Sequence, residues 1–286
     1  MENSKLSQKF TSRFVAGRTL KEGIRVLQHL SAERILGTLD FLGENVHSLE
    51  DAARSKASYL AAQAEIEGAK LPATVSIKLT QFGLDLSESV CVANVRTLIE
   101  RAREMNSRVE IDMESTAYTD RTLKIVCGFQ ESCPGSVRAV IQAYLYRSED
   151  DIRMLSERKI PVRLCKGAYR EPANVAFTRK SDVDANYLKL MKLLLSEGTY
   201  PAIASHDESM IRQAVAYTRE QKIAPDRFEF QMLYGIRRDL QRELVSQGFT
   251  LRLYVPYGDA WYPYFMRRLA ERPANLLFLA KNLVRS

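Results

Sequence analysis

Apolar residues alternate between two spacings from about residue 34 onward. Short runs rich in β-branched residues predict strands, and the longer segments between them, with apolar positions three or four apart, predict helices. The predicted strands are 35–41, 73–78, 108–112, 137–142, 161–165, 201–205, 228–231 and 250–255. The predicted helices are 48–68, 87–105, 119–132, 149–158, 181–197, 207–222, 237–247 and 261–271, with a ninth after Pro273.

Eight strand and helix units in 286 residues fit an α/β protein with one (β/α)8 barrel of the TIM type. We expect the barrel over 31–286, with extra helices at both ends and a helical arm over 1–30. The alternative is an open, doubly wound sheet. A dinucleotide-binding sheet of this kind usually carries the motif G-x-G-x-x-G after its first strand. None of the 13 glycines forms that motif. The P-loop and G-x-S-x-G patterns are also absent, so any cofactor is held in another way.

The sequence composition gives expectations for the cellular location of the protein and for metal binding. No apolar run reaches about 18 residues and the N-terminus lacks the apolar stretch of a secretory signal, so we expect a cytoplasmic protein. The four cysteines and three histidines show no zinc-ligand spacing. We therefore expect reduced thiols and no metal site.

The net charge of +7 raises nucleic acid as a partner, but the charge is spread too evenly to favour one. The first thirty residues are basic and contain Phe10 and Phe14. This arm has two interpretations: a helix docked on the core, or a peripheral contact at the inner face of the membrane.

Polar residues stand at the carboxyl ends of seven predicted strands, where barrels assemble their active sites. Such residues must be paired or functional, because an unpaired buried charge costs several kcal/mol. They are Lys78, Asp112, Glu114, Gln142, Arg163, Lys166, His206, Gln231 and Tyr254. We expect an aromatic-lined, cationic pocket that binds anions.

The helix predicted after the last strand carries two adjacent arginines. Tyr264, Arg267, Arg268 and Glu271 are spaced i, i+3, i+4 and i+7 and so share one face. A guanidinium binds a carboxylate through two parallel hydrogen bonds. This face predicts a carboxylate substrate.

A second positive cluster, Arg163 and Lys166, predicts a phosphate-bearing or electron-rich cofactor. No nucleophile and no metal set stands out, so a redox cofactor is favoured.

Seven segments together resemble the proline dehydrogenase family from about residue 13 to the C-terminus. They are 39–44, 75–80, 111–114, 140–144, 163–169, 228–231 and the Tyr-x-x-Arg-Arg-x-x-Glu motif at 264–271. The resemblance implies FAD-dependent oxidation of L-proline to Δ1-pyrroline-5-carboxylate, the first step of proline catabolism, with hydride transfer to the flavin N5. It also implies a monofunctional bacterial enzyme, a membrane quinone as electron acceptor and a separate pyrroline-5-carboxylate dehydrogenase downstream.

The resemblance also assigns roles to residues. The substrate-binding positions are Lys78, Leu233, Tyr254, Tyr264, Arg267 and Arg268, and Asp112 and Arg163 join them as catalytic positions. The FAD-binding positions are Gln142, Arg163, Lys166, Gly167, Ala168, Tyr169, Thr178, His206, Gln231 and Glu271. Glu44 is implied as an ion-pair partner of Arg267 that gates the site.

Three other functions compete with this interpretation. A hydroxyproline or other cyclic amino acid dehydrogenase is the nearest, although the phenol of Tyr254 crowds the position of a ring hydroxyl. A Schiff-base lyase would use Lys78 as a nucleophile if cationic neighbours lowered its pKa. A non-catalytic basic protein would bind nucleic acid in a salt-dependent way.

Overall fold

A computed structural model of the chain describes residues 14–43 and 46–261. Within these residues eight parallel strands close into a barrel in sequence order, which confirms the predicted (β/α)8 fold. The strands are β1 (Leu36–Phe41), β2 (Ala73–Ile77), β3 (Val109–Ile111), β4 (Val137–Gln142), β5 (Val162–Cys165), β6 (Ala202–Ala204), β7 (Glu229–Leu233) and β8 (Leu251–Tyr257).

Helices alternate with the strands along the described chain. They are α1 (Leu20–Ala32), α2 (Leu49–Gly68), α3 (Glu88–Glu104), α4 (Thr116–Ser132), α5 (Ser148–Glu157), α6 (Lys180–Glu197), α7 (Glu208–Glu220) and α8 (Arg238–Ser246). Short 3-10 helices span Leu79–Phe82 and Pro225–Arg227. No helix in these ranges is both long enough and apolar enough to cross a membrane.

One predicted helix boundary was wrong by three residues: α4 begins at Thr116 and not at 119. The backbone N–H of Thr116 donates to Glu171 Oε1 at 2.8 Å. A carboxylate 55 residues away therefore satisfies a donor at the start of this helix, and local sequence rules cannot find such a cap.

Strand β8 is longer than predicted because it continues through Pro256 to Tyr257. A proline has no N–H and usually marks the end of a central strand. Here the Pro256 carbonyl accepts from the Ala16 N–H at 2.8 Å, so the N-terminal segment pairs with this part of β8. Strand β7 also continues two residues further than predicted, to Leu233, which pairs with Tyr254.

Helix α1 lies against the seam where β8 meets β1. Thr19 and Glu22 form a capping box at its start, and Gly23, Ile24 and Leu27 lie on its buried face. The docked-helix interpretation therefore holds for α1. Residues 1–13, which include Phe10, lie outside the described residues, as do the predicted helix after Trp261 and the one after Pro273.

Side chains of opposite character occupy the two faces of the barrel sheet. Apolar residues such as Val109 and Ile111 face the helices and are fully buried. The residues between and beyond them, Glu110 and Asp112, are on the opposite face because strand side chains alternate. Many of the side chains inside the barrel are therefore polar or charged. They extend along the barrel axis to the carboxyl ends of the strands.

Candidate active site

The lower part of the barrel interior holds a fully buried ion network. We call it the floor network; it consists of Glu110, Arg138, Glu229 and Arg252. Arg138 Nη1 donates to both glutamates, and Arg252 Nε donates to Glu229 Oε1 at 2.9 Å. The side chains of Arg138 and both glutamates are 0% exposed.

A second network lies above the floor, at the ends of β1, β2, β3 and β8. We call it the upper network; it consists of Asp40, Lys78, Asp112 and Tyr254. Lys78 Nζ lies 3.2 Å from Asp40 Oδ1 and 3.4 Å from Asp112 Oδ2. The Tyr254 hydroxyl donates to Asp112 Oδ2 at 2.7 Å. The Lys78 side chain keeps 24% of its surface exposed, so this layer is open at its top.

The charge state of Lys78 follows from its two carboxylate neighbours. Burial favours the neutral amine, but Asp40 and Asp112 together raise the pKa of Lys78 above its ordinary value. Burial likewise opposes ionisation of Asp112, and Lys78 and Arg163 lower its pKa nonetheless. The Schiff-base interpretation required cationic neighbours that lower the lysine pKa, whereas the described residues that bond to Lys78 are carboxylates that raise it.

Arg163 on β5 connects the two networks. Its Nη1 donates to Asp112 Oδ1 at 2.7 Å, and its Nη2 donates to Glu110 Oε2. Nη2 also lies 3.3 Å from the Ser76 hydroxyl, and the guanidinium carbon lies 5.4 Å from the centre of the Tyr254 ring. The predicted catalytic residues Lys78, Asp112, Arg163 and Tyr254 are therefore brought into one contact group.

The loop after β5 requires a glycine. Gly167 has φ of +119°, and a Cβ there would lie 2.4 Å from the Tyr144 ring. This turn carries the Ala168 N–H to 3.4 Å from Gln142 Oε1. Lys166 Nζ, just before the turn, bonds to Asp184 and Asp207. Sequence reasoning predicted an excess of positive charge at Arg163 and Lys166, whereas each is paired with two carboxylates.

The other predicted cofactor positions are spread along the same rim. Gln142 is buried and its Nε2 donates to the Glu114 carbonyl at 2.9 Å. His206 Nε2 accepts from the Leu233 N–H at 2.7 Å, which joins the ends of β6 and β7. Tyr169 is close enough to Lys78 to affect its pKa.

Two of those positions lie apart from the rim. Gln231 is deeper, with its Nε2 donating to Glu229 Oε1 at 2.6 Å in the floor network. Thr178 is exposed in the loop before α6. Predicted site residues outside the described ranges are Glu44, Tyr264, Arg267, Arg268 and Glu271.

Sequence reasoning missed several charged residues inside the barrel. Asp40 is the most important, because it is buried and its Oδ2 has no hydrogen-bond donor among the described residues. The i, i+2 pairs Glu110 with Asp112 and Arg252 with Tyr254 were visible in the sequence. Alternation along a strand would have placed each pair on the interior face.

Comparisons with known proteins identify the family of the chain. A family model described as "Proline dehydrogenase" matches residues 24–281. Proline dehydrogenase 1 of Bacillus subtilis (strain 168) is 40% identical over 273 residues, which cover 96% of this chain and 90% of that protein. The chain belongs to the proline dehydrogenase family. The proline dehydrogenase of Deinococcus radiodurans is 38% identical over 280 residues, covering 96% of this chain and 89% of that one.

Solved structures agree with the barrel fold of this family. Proline utilization A (PutA) from Bdellovibrio bacteriovorus, inactivated by N-propargylglycine, superposes with a TM-score of 0.85 at 26% identity. That match covers 92% of this chain and 32% of the PutA chain, so this chain spans about a third of that protein.

Proposed function

We propose that this protein oxidises L-proline to Δ1-pyrroline-5-carboxylate with FAD as its cofactor. The observation that carries the proposal is the family match over residues 24–281 together with the contact group of Lys78, Asp112, Arg163 and Tyr254 at the barrel mouth. FAD would accept the hydride that leaves the carbon next to the proline nitrogen.

The upper network supplies groups suited to a small amino acid. The Lys78 ammonium keeps an exposed face and would bind the substrate carboxylate through charge-assisted hydrogen bonds. The Tyr254 ring, held by its bond to Asp112 and by the adjacent Arg163, would pack against the apolar ring of proline. Leu233, which pairs with Tyr254 across β7 and β8, would close the apolar side.

The residues present fit a flavin at the ends of β4, β5 and β6. Arg163 Nε is buried and has no acceptor among the described residues. Gly167 lets the loop after β5 turn against the Tyr144 ring, which brings the Ala168 N–H to the same rim. Arg163 would place positive charge beside the flavin, which favours the charge that hydride transfer creates. Gln142, Lys166 and His206 would contribute from the same rim.

The remaining roles belong to residues outside the described ranges or to partners. Arg267 and Arg268 would clamp the carboxylate, with Tyr264 against the ring, Glu271 toward FAD and Glu44 as the gate. A membrane quinone would take the electrons, and a separate pyrroline-5-carboxylate dehydrogenase would use the product. A basic N-terminal arm would attach weakly to anionic lipid, and vesicle binding before and after deletion of residues 1–12 tests this.

An absorbance spectrum followed by anaerobic addition of L-proline tests the main proposal. We expect flavin bands near roughly 380 and 450 nm that bleach with proline. Hydroxyproline added in parallel should bleach them far more slowly, because Tyr254 is held in place. A Lys78→Met control should retain the bands and respond only at much higher proline concentration.

Two outcomes would contradict the proposal at different levels. Flavin that stays oxidised with proline would exclude this substrate and leave another cyclic amino acid. A colourless protein that takes up no added FAD would exclude the cofactor.

A further inference from the structure

We propose that Glu110 is a positioning residue that orients Arg163 and offsets part of its charge, and so sets the reduction equilibrium of the flavin. This inference rests on the proposed function, because it concerns the group that Arg163 would face. Glu110 is fully buried, and the predicted site residues that it bonds are Arg163 and, more weakly at 3.3 Å, Gln231, so it would act through a side chain and not by touching the ligand.

The contacts of Glu110 show how firmly it is held. Oε2 accepts from Arg163 Nη2 and, at 3.3 Å, from Gln231 Nε2. Oε1 accepts from the Thr74 hydroxyl at 3.0 Å and from Arg138 Nη1 at 3.3 Å. Each oxygen thus has two donors, which leaves the carboxylate one orientation.

The position of Glu110 along β3 explains why it shares Arg163 with Asp112. The two carboxylates are i and i+2 on one strand, so both point into the barrel, one above the other. One guanidinium spans them, with Nη2 on Glu110 and Nη1 on Asp112. Such a two-point hold fixes the plane of the guanidinium.

Charge balance gives the proposal its direction. The two networks and Arg163 contain four acids and four bases: Asp40, Glu110, Asp112 and Glu229 with Lys78, Arg138, Arg163 and Arg252. Although burial opposes ionisation of Glu110, Arg163 and Arg138 hold its pKa well below the usual value, so it is charged at neutral pH. Loss of that charge would leave Arg163 more positive toward the flavin, and a reduced flavin carries more negative charge than an oxidised one.

Two double variants separate this role from general stability. Glu110→Gln with Arg138→Gln removes the carboxylate that touches Arg163. Glu229→Gln with Arg138→Gln removes the floor carboxylate that is bonded to Arg138 and not to Arg163. Because Arg138 bonds both glutamates, each double variant loses one acid and one base and keeps the interior neutral. Neutral replacement of a buried ion pair is often tolerated.

The measurement is anaerobic equilibration of the bound flavin with a redox dye of known potential. We expect the Glu110 double variant to shift the ratio of reduced to oxidised flavin at least tenfold toward reduced, about 30 mV for a two-electron couple. The Glu229 double variant should shift it less than threefold. Equal shifts in the two variants, or no shift in either, would overturn the inference.

A milder pair keeps the test decisive if a double variant does not fold. Thr74→Val removes a neutral donor from Glu110 and leaves its charge more available to Arg163, so the equilibrium should shift at least twofold toward oxidised flavin. Thr38→Val is the control, because the buried Thr38 hydroxyl has no partner among the described residues. An unchanged equilibrium in Thr74→Val would overturn the inference.

Failure of the proposed function would look different. A wild-type protein that takes up no FAD would overturn both proposals. A wild type that binds FAD and is bleached by proline, with matched shifts in all variants, would overturn only the role of Glu110.

Discussion

The floor and upper networks have similar charges, and each holds a buried polar atom without a partner among the described residues, Arg138 Nε in the floor and Asp40 Oδ2 above it, but they differ in how completely their carboxylates are paired. Every carboxylate oxygen of Glu110 and Glu229 accepts from at least one donor. In the upper network Asp40 Oδ2 has no donor among the described residues, and Lys78 keeps an exposed face. Unpaired polar atoms in a buried site are costly unless a ligand meets them. The comparison indicates that the floor holds the strands together and the upper network keeps bonding capacity for a substrate.

The largest expected effect is on stability, from Arg138→Met in the floor. The substitution removes the fully buried cation that bonds both Glu110 and Glu229 and leaves Arg252, 3.7 Å from Glu110 Oε1 and 2.9 Å from Glu229 Oε1, as the cation between them. We expect the free energy of unfolding to fall by about 3–5 kcal/mol, measured by urea denaturation. Arg153→Met is the control, since its ion pair with Glu149 is at the surface and should contribute less than about 1 kcal/mol. A decrease in the free energy of unfolding as small as that of the control would show that the floor network does not stabilise the fold.

The second-largest effect should be a loss of folding stability at low pH, through Glu229 in the floor network. Burial opposes ionisation of Glu229, but Arg138 and Arg252 lower its pKa from 4.5 to about 2. The unfolded chain therefore takes up this proton first as the pH falls. The contribution of Glu229 is complete above about pH 4.5 and is lost as the pH falls toward 2, on the order of 3 kcal/mol.

Unfolding free energies measured across this pH range check the prediction. The wild type should lose stability more steeply between pH 4.5 and 2 than Glu229→Gln, which has no proton to take up at this position. Parallel profiles in the two proteins would contradict the assignment.

Lys78→Met should reduce activity and also lower stability. The variant loses the ammonium that would bind the substrate carboxylate, so we expect kcat/KM for proline to fall about 100-fold, or roughly 2.7 kcal/mol. Asp112 keeps Arg163 and Tyr254 as partners, but the buried Asp40 loses its cation, so the free energy of unfolding should fall by about 1–3 kcal/mol. Lys189→Met removes an exposed ammonium and should leave both quantities unchanged. Unchanged kcat/KM in the Lys78 variant would show that the substrate carboxylate does not bind to Lys78.

The smallest effect should come from Asp40→Asn, and it should appear in the pH profile. Asp40 is one of the two carboxylates that raise the pKa of Lys78 against the effect of burial. Without it the pKa of Lys78 falls, so the alkaline limb of kcat/KM should move to lower pH. Turnover near neutral pH should change less than about threefold, because Asp112 still holds the ammonium. An unchanged alkaline limb would show that Asp40 does not affect the pKa of Lys78.

Local pattern was sufficient for the fold. All eight strands and helices α2 to α8 were predicted, because each has its own apolar period and its boundaries follow from caps and turns. The 3-10 helices at Leu79–Phe82 and Pro225–Arg227 were not. The errors occur where a distant group decides. Glu171 starts α4 early by accepting from Thr116, and β1 continues beside β8, with Asp40 opposite Pro256 and Phe41 opposite Tyr257, so that β8 is longer.

The residue types of the site were also evident from sequence, since polar side chains at strand ends are unusual in a barrel. Their partners were not. Lys78 lies between Asp40 and Asp112, and Lys166 is held by Asp184 and Asp207; the sequence indicated neither set of partners. Residues on different strands become neighbours only when the barrel closes and its register is set. The protonation equilibrium of a side chain depends on the charges near it in space. The pKa of Lys78 and the pairing of Arg163 are therefore decided only by the tertiary structure.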